Sequence, residues 1–176
     1  MSLIEERGLV EEARRHAEDV VLGNTSDLGL LAARTAYQQV WARDSMVSSL
    51  GTLHIGDPAA EAAVRRSLAT LERFQSPLGR IPHHVGYPGL PDPSLVAIGG
   101  RLPGDPGASE PVEDTGHAGC VDSSLWYILG HHALFQHARD LATLRSAWPS
   151  LERAHRWLLY QDSNECGLLE VHEAMD

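Results

Sequence analysis

Two segments of this chain open with Asp-Ser and continue as apolar helices, Asp44-Ser-Met-Val-Ser-Ser-Leu-Gly51 and Asp122-Ser-Ser-Leu-Trp-Tyr-Ile-Leu-Gly130. Each is followed by a second helical segment that ends in an aromatic residue and Gln, Phe74-Gln75 and Tyr160-Gln161. Each Gln precedes a polar turn with Gly and then a short apolar exit, Arg80-Ile-Pro82 and Leu168-Leu-Glu170. A pair of antiparallel helices buries its apolar stripes only against its own partner or a neighbouring pair, so the repetition confines the chain to helical hairpins set side by side. The spacing between the two units is irregular and longer than the roughly 20–50 residues of a short-repeat solenoid. Long, variable loops at one end of the array are therefore expected. The helix starts at Asp44 and Asp122 and the exits at His83 and Glu170 are expected to converge on one rim.

Periodicity and end signals set the elements, and the expected fold class is all-α. Ile4 to Leu22 reads as a helix with Leu9, Ala13, Ala17, Val20 and Val21 on one stripe, closed by Gly23-Asn24. Thr25 to Ala36 is ambiguous, with Ser26 or Asp27 placed to cap a short helix through Arg34. The next helix spans about Ala42 to Leu53 with Met46, Val47, Leu50 and Leu53 inward. Gly56-Asp57-Pro58 stops it and starts another, with Asp as N-cap and Pro at the first helical position. That helix carries Val64, Leu68, Leu71 and Phe74 inward and ends at Gln75. From His83 to Gly119 the chain is rich in Pro and Gly, with Tyr87, Leu95, Val96 and Ile98 as anchors. Helical spacing resumes at Val121, Leu125, Ile128 and Leu129 and lasts to about Ala138. Asp140 to Ala147 and Pro149 to Gln161 follow, the Pro expected to begin a fresh or kinked helix.

Composition excludes several classes of function. At 176 residues, 43% apolar and 22% charged, the chain suits one domain with a sizeable core. Its 14 basic residues are all Arg and face 24 acids, for a net charge of −10. Nucleic acid and anionic membrane are excluded as partners, because phosphate neutralisation needs a basic face. Cys120 and Cys166 form no CxxC pair, no stretch approaches a membrane span, and no secretory signal is visible, so a cytoplasmic location is expected.

Chemistry concentrates in a few places. Trp41, Arg43 and Asp44 set a flat ring, a donor fork and a carboxylate beside one another, the group types that grip a small polyhydroxylated ligand. By itself the hexapeptide Val40 to Ser45 fits an ordinary helix start, with an exposed Arg-Asp pair and a half-buried Trp, better than a sugar subsite, and the later recurrence of a related segment changes that ranking. A second acidic concentration is Glu165, Glu170, Glu173 and Asp176. In an inverting glycosidase one carboxyl protonates the leaving oxygen while another, about 6.5–9.5 Å away, activates water; a solvated acidic surface is the competing reading. Ten His residues invite a metal, with His117-x-x-Cys120 near His83-His84 and His131-His132, but no HExxH or paired CxxC occurs. No metal and no cofactor is expected, and His83 and His84 are kept as ligand contacts. No P-loop, GxGxxG or nucleophile elbow is present.

Taken in order, VWARDSMVSSLG, RFQSPLGRIPHHV, VDSSLWYILG, AWPSLERAHRWL and QDSNECGLLEVHEAMD resemble the N-terminal half of the catalytic domain of the six-hairpin glycosidases. That superfamily includes glucoamylases, amylo-α-1,6-glucosidases and neutral invertases. The resemblance covers about Tyr37 to Asp176 and implies an (α/α)6 toroid, of which residues 1–176 would form about half as a single incomplete domain. It implies that Arg43 and Asp44 bind hydroxyls of the terminal sugar with Trp41 beside them, and that Asp122, Ser123 and Trp126 line the same cavity. His83, His84 and Glu170 would complete the rim, and Asp176 or Glu173 would be the general acid. The implied function is a glycoside hydrolase acting on an α-glucan or oligosaccharide through an inverting carboxylate pair. The second carboxylate would come from a late hairpin, so the chain is expected to be inactive alone. Besides a carbohydrate substrate, the expected partner is the remaining half of the toroid or a second copy. The alternative function keeps the fold without the chemistry, as a carbohydrate-binding or helical scaffold module; a sugar epimerase or lyase is a third option.

Overall fold

The computed structural model describes residues 3–87, 112–113 and 120–170. Helices dominate them: α1 (Leu3–Gly23), α2 (Ala42–Thr52), α3 (Pro58–Arg73), α4 (Asp122–Ala138) and α5 (Leu141–Leu159). Three short strands, β1 (Val40–Trp41), β2 (His84–Gly86) and β3 (Val112–Glu113), form one antiparallel sheet in that order. No helix among the described residues is long and apolar enough to cross a membrane.

Helix boundaries follow local chemistry. The Asp57 carboxylate accepts from the Ala59 amide at 2.7 Å and Pro58 opens α3, as the Gly-Asp-Pro signal predicts. Asp140 caps α5 by accepting from the amides of Ala142 and Thr143, each at 3.1 Å. A fresh start at Pro149 does not occur. One continuous helix runs through it, and the α3 exit is tied to α5 in the next turn, where Gln75 donates to the Ser150 carbonyl and accepts from the Ser150 hydroxyl and Arg153. Gly79, at φ 103°, lets this exit pass against α5, since a Cβ there would stand 2.1 Å from the Arg153 carbonyl oxygen.

α2, α3 and α4 pack against one another, and α5 packs on α4. The shared core contains Met46, Val64, Leu68, Leu71, Ile81, Tyr127, Leu134, Leu151 and Ala154. Burying each of the larger side chains contributes about 1.5–3 kcal/mol. The helix stripes differ from the periodicity. Val47 and Leu50 on α2, and Leu125 and Leu129 on α4, are exposed, while Ser45, Ser49 and Thr52 and Ser123 and Ser124 are buried. Ser49 and Thr52 donate back to the Met46 and Ser48 carbonyls of their own helix, whereas Ser45 and Ser124, with Ser67 of α3, are the partners of loop backbone that crosses there. Ser45 donates to the Leu30 carbonyl at 2.8 Å, Ser67 accepts from the Leu30 amide at 2.7 Å, and Ser124 accepts from the Ile81 amide at 3.2 Å.

The segment between α1 and β1 holds no helix. Ser26 instead closes a turn, accepting from the Leu28 amide and donating to the Gly29 carbonyl, and Thr25 bridges Leu30. Leu9 and Val20 of the expected α1 stripe are 58% and 59% exposed, and only Val21 near its end packs on the core. Of the four loop anchors, Tyr87 packs against the core and donates its hydroxyl to Asp27; Leu95, Val96 and Ile98 lie outside the described residues.

Candidate functional site

The beginnings of α2 and α4 meet. β1 delivers Trp41 to the N-cap position of α2, and pairing with β2 sets Val40 opposite Val85 and Trp41 opposite His84. The Ala42 amide donates to the His83 carbonyl at 2.9 Å, which pins the exit of α3 to the first turn of α2. The Ile81 to Ser124 bond fixes the same exit to the start of α4. Four chain segments thus share one end of the helix array.

Sequence-expected residues occupy this end. Arg43 Nη1 lies 3.1 Å from Asp122 Oδ2, an ion pair between residues 79 apart in the chain, with side chains 52% and 31% exposed. Asp44, beside Arg43 in the first turn of α2, is exposed. Trp41 is buried, stacked on His84 with centroids 4.3 Å apart and edge-on to His83 at 4.9 Å. His83 and His84 are themselves buried, so one face of the indole is already covered by protein. Tyr37 meets the indole edge-on at 5.5 Å. Trp126, one turn after Asp122, is half-buried against the core.

Glu170 closes a turn of its own. Its carboxylate accepts from Asn164 at 2.5 Å and from the Ser163 hydroxyl, and its amide donates to the Gln161 carbonyl at 2.8 Å. α5 leads into this turn from Trp157 and Leu158, which pack on Val121, the residue before Asp122. Glu173 and Asp176, the expected acids, lie outside the described residues.

One residue that sequence reasoning passed over belongs to the same end. Cys120 groups with His83 and Asp122, their donor atoms all within 4.8 Å of one another. Its sequence signal was His117-x-x-Cys120, read as a possible ligand pair and set aside; the structure joins Cys120 to His83 and Asp122, and His117 lies outside the described residues. Burial pushes the Cys120 thiol up from its ordinary value, the Asp122 carboxylate adds to this, and Arg43 opposes it. The thiol therefore stays protonated at neutral pH, unlike an activated nucleophilic cysteine.

Farther along α4 and α5 is a cavity of about 400 Å³, lined by Ile128, His131, Phe135, Leu144, Trp148 and Leu151 among others, and it touches none of the rim residues. His131 is buried there, edge-on to Tyr127, and burial lowers its pKa to about 4. The chain matches no protein-family model and no curated protein.

Proposed function

We propose that this chain carries the sugar-holding side of a six-hairpin glycosidase site, the helical hairpins forming about half of an (α/α)6 toroid. Arg43 and Asp44 hold hydroxyls of a terminal sugar of an α-glucan or oligosaccharide, with Asp122 and Trp126 beside them. His83, His84 and Trp41 form the buried support of that rim. Asp176 or Glu173 protonates the departing oxygen, and a carboxylate from the remaining hairpins activates water.

The observation that carries the reading is the Arg43–Asp122 pair. It joins the two Asp-Ser helix starts on one exposed end, the convergence the repeat demands. An exposed ion pair of this kind contributes about 0–1 kcal/mol to stability, whereas α2 and α4 already share a buried core that includes Met46 and Tyr127. Stability alone therefore accounts poorly for a solvent-facing guanidinium paired with Asp122, and a polyhydroxylated ligand accounts for it well. The test is Asp44→Ala in the protein that carries both catalytic carboxylates. A loss of roughly 100-fold or more in kcat/KM on α-linked glucosides is expected, as for the removal of a charged contact to bound substrate. Unchanged specificity constants on every sugar tried would remove Asp44 from this role.

A further inference from the structure

We propose that His83, Cys120 and Asp122 bind a single zinc ion where the α3 exit meets the start of α4. The inference does not rest on the saccharide reading, since it needs only these donors and their placement. An imidazole nitrogen, a thiol sulfur and a carboxylate oxygen from two segments of the chain lie within 4.8 Å of one another. Donors bound tetrahedrally to one zinc ion at about 2.0–2.3 Å stand roughly 3.3–3.6 Å apart. Closing the set on one ion draws the three side chains together from a spread of at most 4.8 Å.

The surroundings hold two of the three donors in place. The His83 ring is buried and held edge-on by Trp41, and its carbonyl is fixed by the Ala42 amide. Asp122 gives one oxygen to Arg43, the arrangement by which an outer partner orients a ligating carboxylate. The Arg43 charge opposes a cation, and the two negative charges of a bound thiolate and carboxylate offset it. Sulfur and imidazole donors favour zinc over magnesium or calcium, which take oxygen ligands. On binding, Cys120 releases its proton to solvent as the sulfur–metal bond forms. Three protein ligands leave a fourth position for water or a ligand oxygen.

The probe is cobalt(II), whose thiolate complexes absorb in the near ultraviolet. Titration of the metal-free chain with cobalt is expected to give this charge-transfer band at one equivalent. Zinc is expected to displace it, and magnesium and calcium to leave it. Cys120→Ser is expected to abolish the band and weaken zinc binding by at least about 30-fold, with unchanged helical circular dichroism. Cys166→Ser, at an exposed position in a different turn, is expected to keep both. Because His83 is buried, its substitution risks the fold, and Asp122→Asn provides the second variant, expected to weaken zinc binding while retaining the band. No band in the parent chain, a band that survives Cys120→Ser, a band lost in Cys166→Ser, or zinc affinity unchanged in Cys120→Ser would each overturn the proposal.

Discussion

Arg43 and His131 show how burial decides what a charged or titratable residue does. Arg43 keeps about half of its side chain in solvent, so its pairing with Asp122 leaves it available to a ligand. His131 is held in an apolar wall, and its Nε2 has no hydrogen-bond partner among the described residues. Its folded-state pKa of about 4 lies below the ordinary 6.5. Between those values the unfolded chain binds a proton that the folded chain refuses, so its contribution is fully present above pH 6.5 and is lost as pH falls toward 4. The loss is on the order of 3 kcal/mol. Urea unfolding at pH 4.5 and pH 7 is expected to show this dependence, and His131→Gln to flatten it. An equally steep profile in the variant would show that other groups set the acid sensitivity.

At the level of elements, the contact between α2 and α4 depends on a missing side chain. A Cβ at Gly130 would lie 2.2 Å from the Met46 sulfur and 3.1 Å from Leu68, both buried. Gly130→Ala gains up to about 1 kcal/mol of helix propensity but forces a close-packed core apart, at a cost of about 1–3 kcal/mol. Net destabilisation in denaturant melts is expected. Gly51→Ala, on the exposed face of α2 with nothing within 4 Å, is expected to stabilise by about 0.5–1 kcal/mol. If Gly130→Ala matched Gly51→Ala, the two helices would not approach as described. The same close approach explains why small residues and hydroxyls, rather than Val47 and Leu125, line the interior of these helices.

Across the whole molecule, the helices present apolar side chains outward: Val47, Leu50, Leu125, Leu129, Trp148 and Leu159 are each 40% or more exposed. Exposed apolar side chains in this number offer surface for packing against further protein. The reading of a toroid assigns them to neighbouring hairpins. The isolated chain is accordingly expected to self-associate at micromolar concentrations, which sedimentation velocity would detect as species heavier than 19.2 kDa. A monodisperse, cooperatively unfolding monomer would count against it, and Leu125→Gln with Leu129→Gln should shift the distribution toward monomer.

Local signals determined the helices, because caps, breakers and 3.6-residue spacing act within a few residues: Gly56-Asp57-Pro58 divides α2 from α3 as its chemistry requires. The Asp-Ser recurrence likewise anticipated that the helix starts at Asp44 and Asp122 and the exit at His83 share one end, while Glu170 closes a turn of its own. Which face of each helix is buried was decided only in three dimensions, since the need of the Leu30 and Ile81 backbone for partners outweighed hydrophobicity at Ser45, Ser67 and Ser124. The sheet was equally hidden, because strands of two or three residues carry no periodicity and exist through their pairing. Cys120 acquired its neighbours in the same way: the meeting of the α3 exit with the start of α4 sets it beside His83, a proximity that no spacing along the chain encodes.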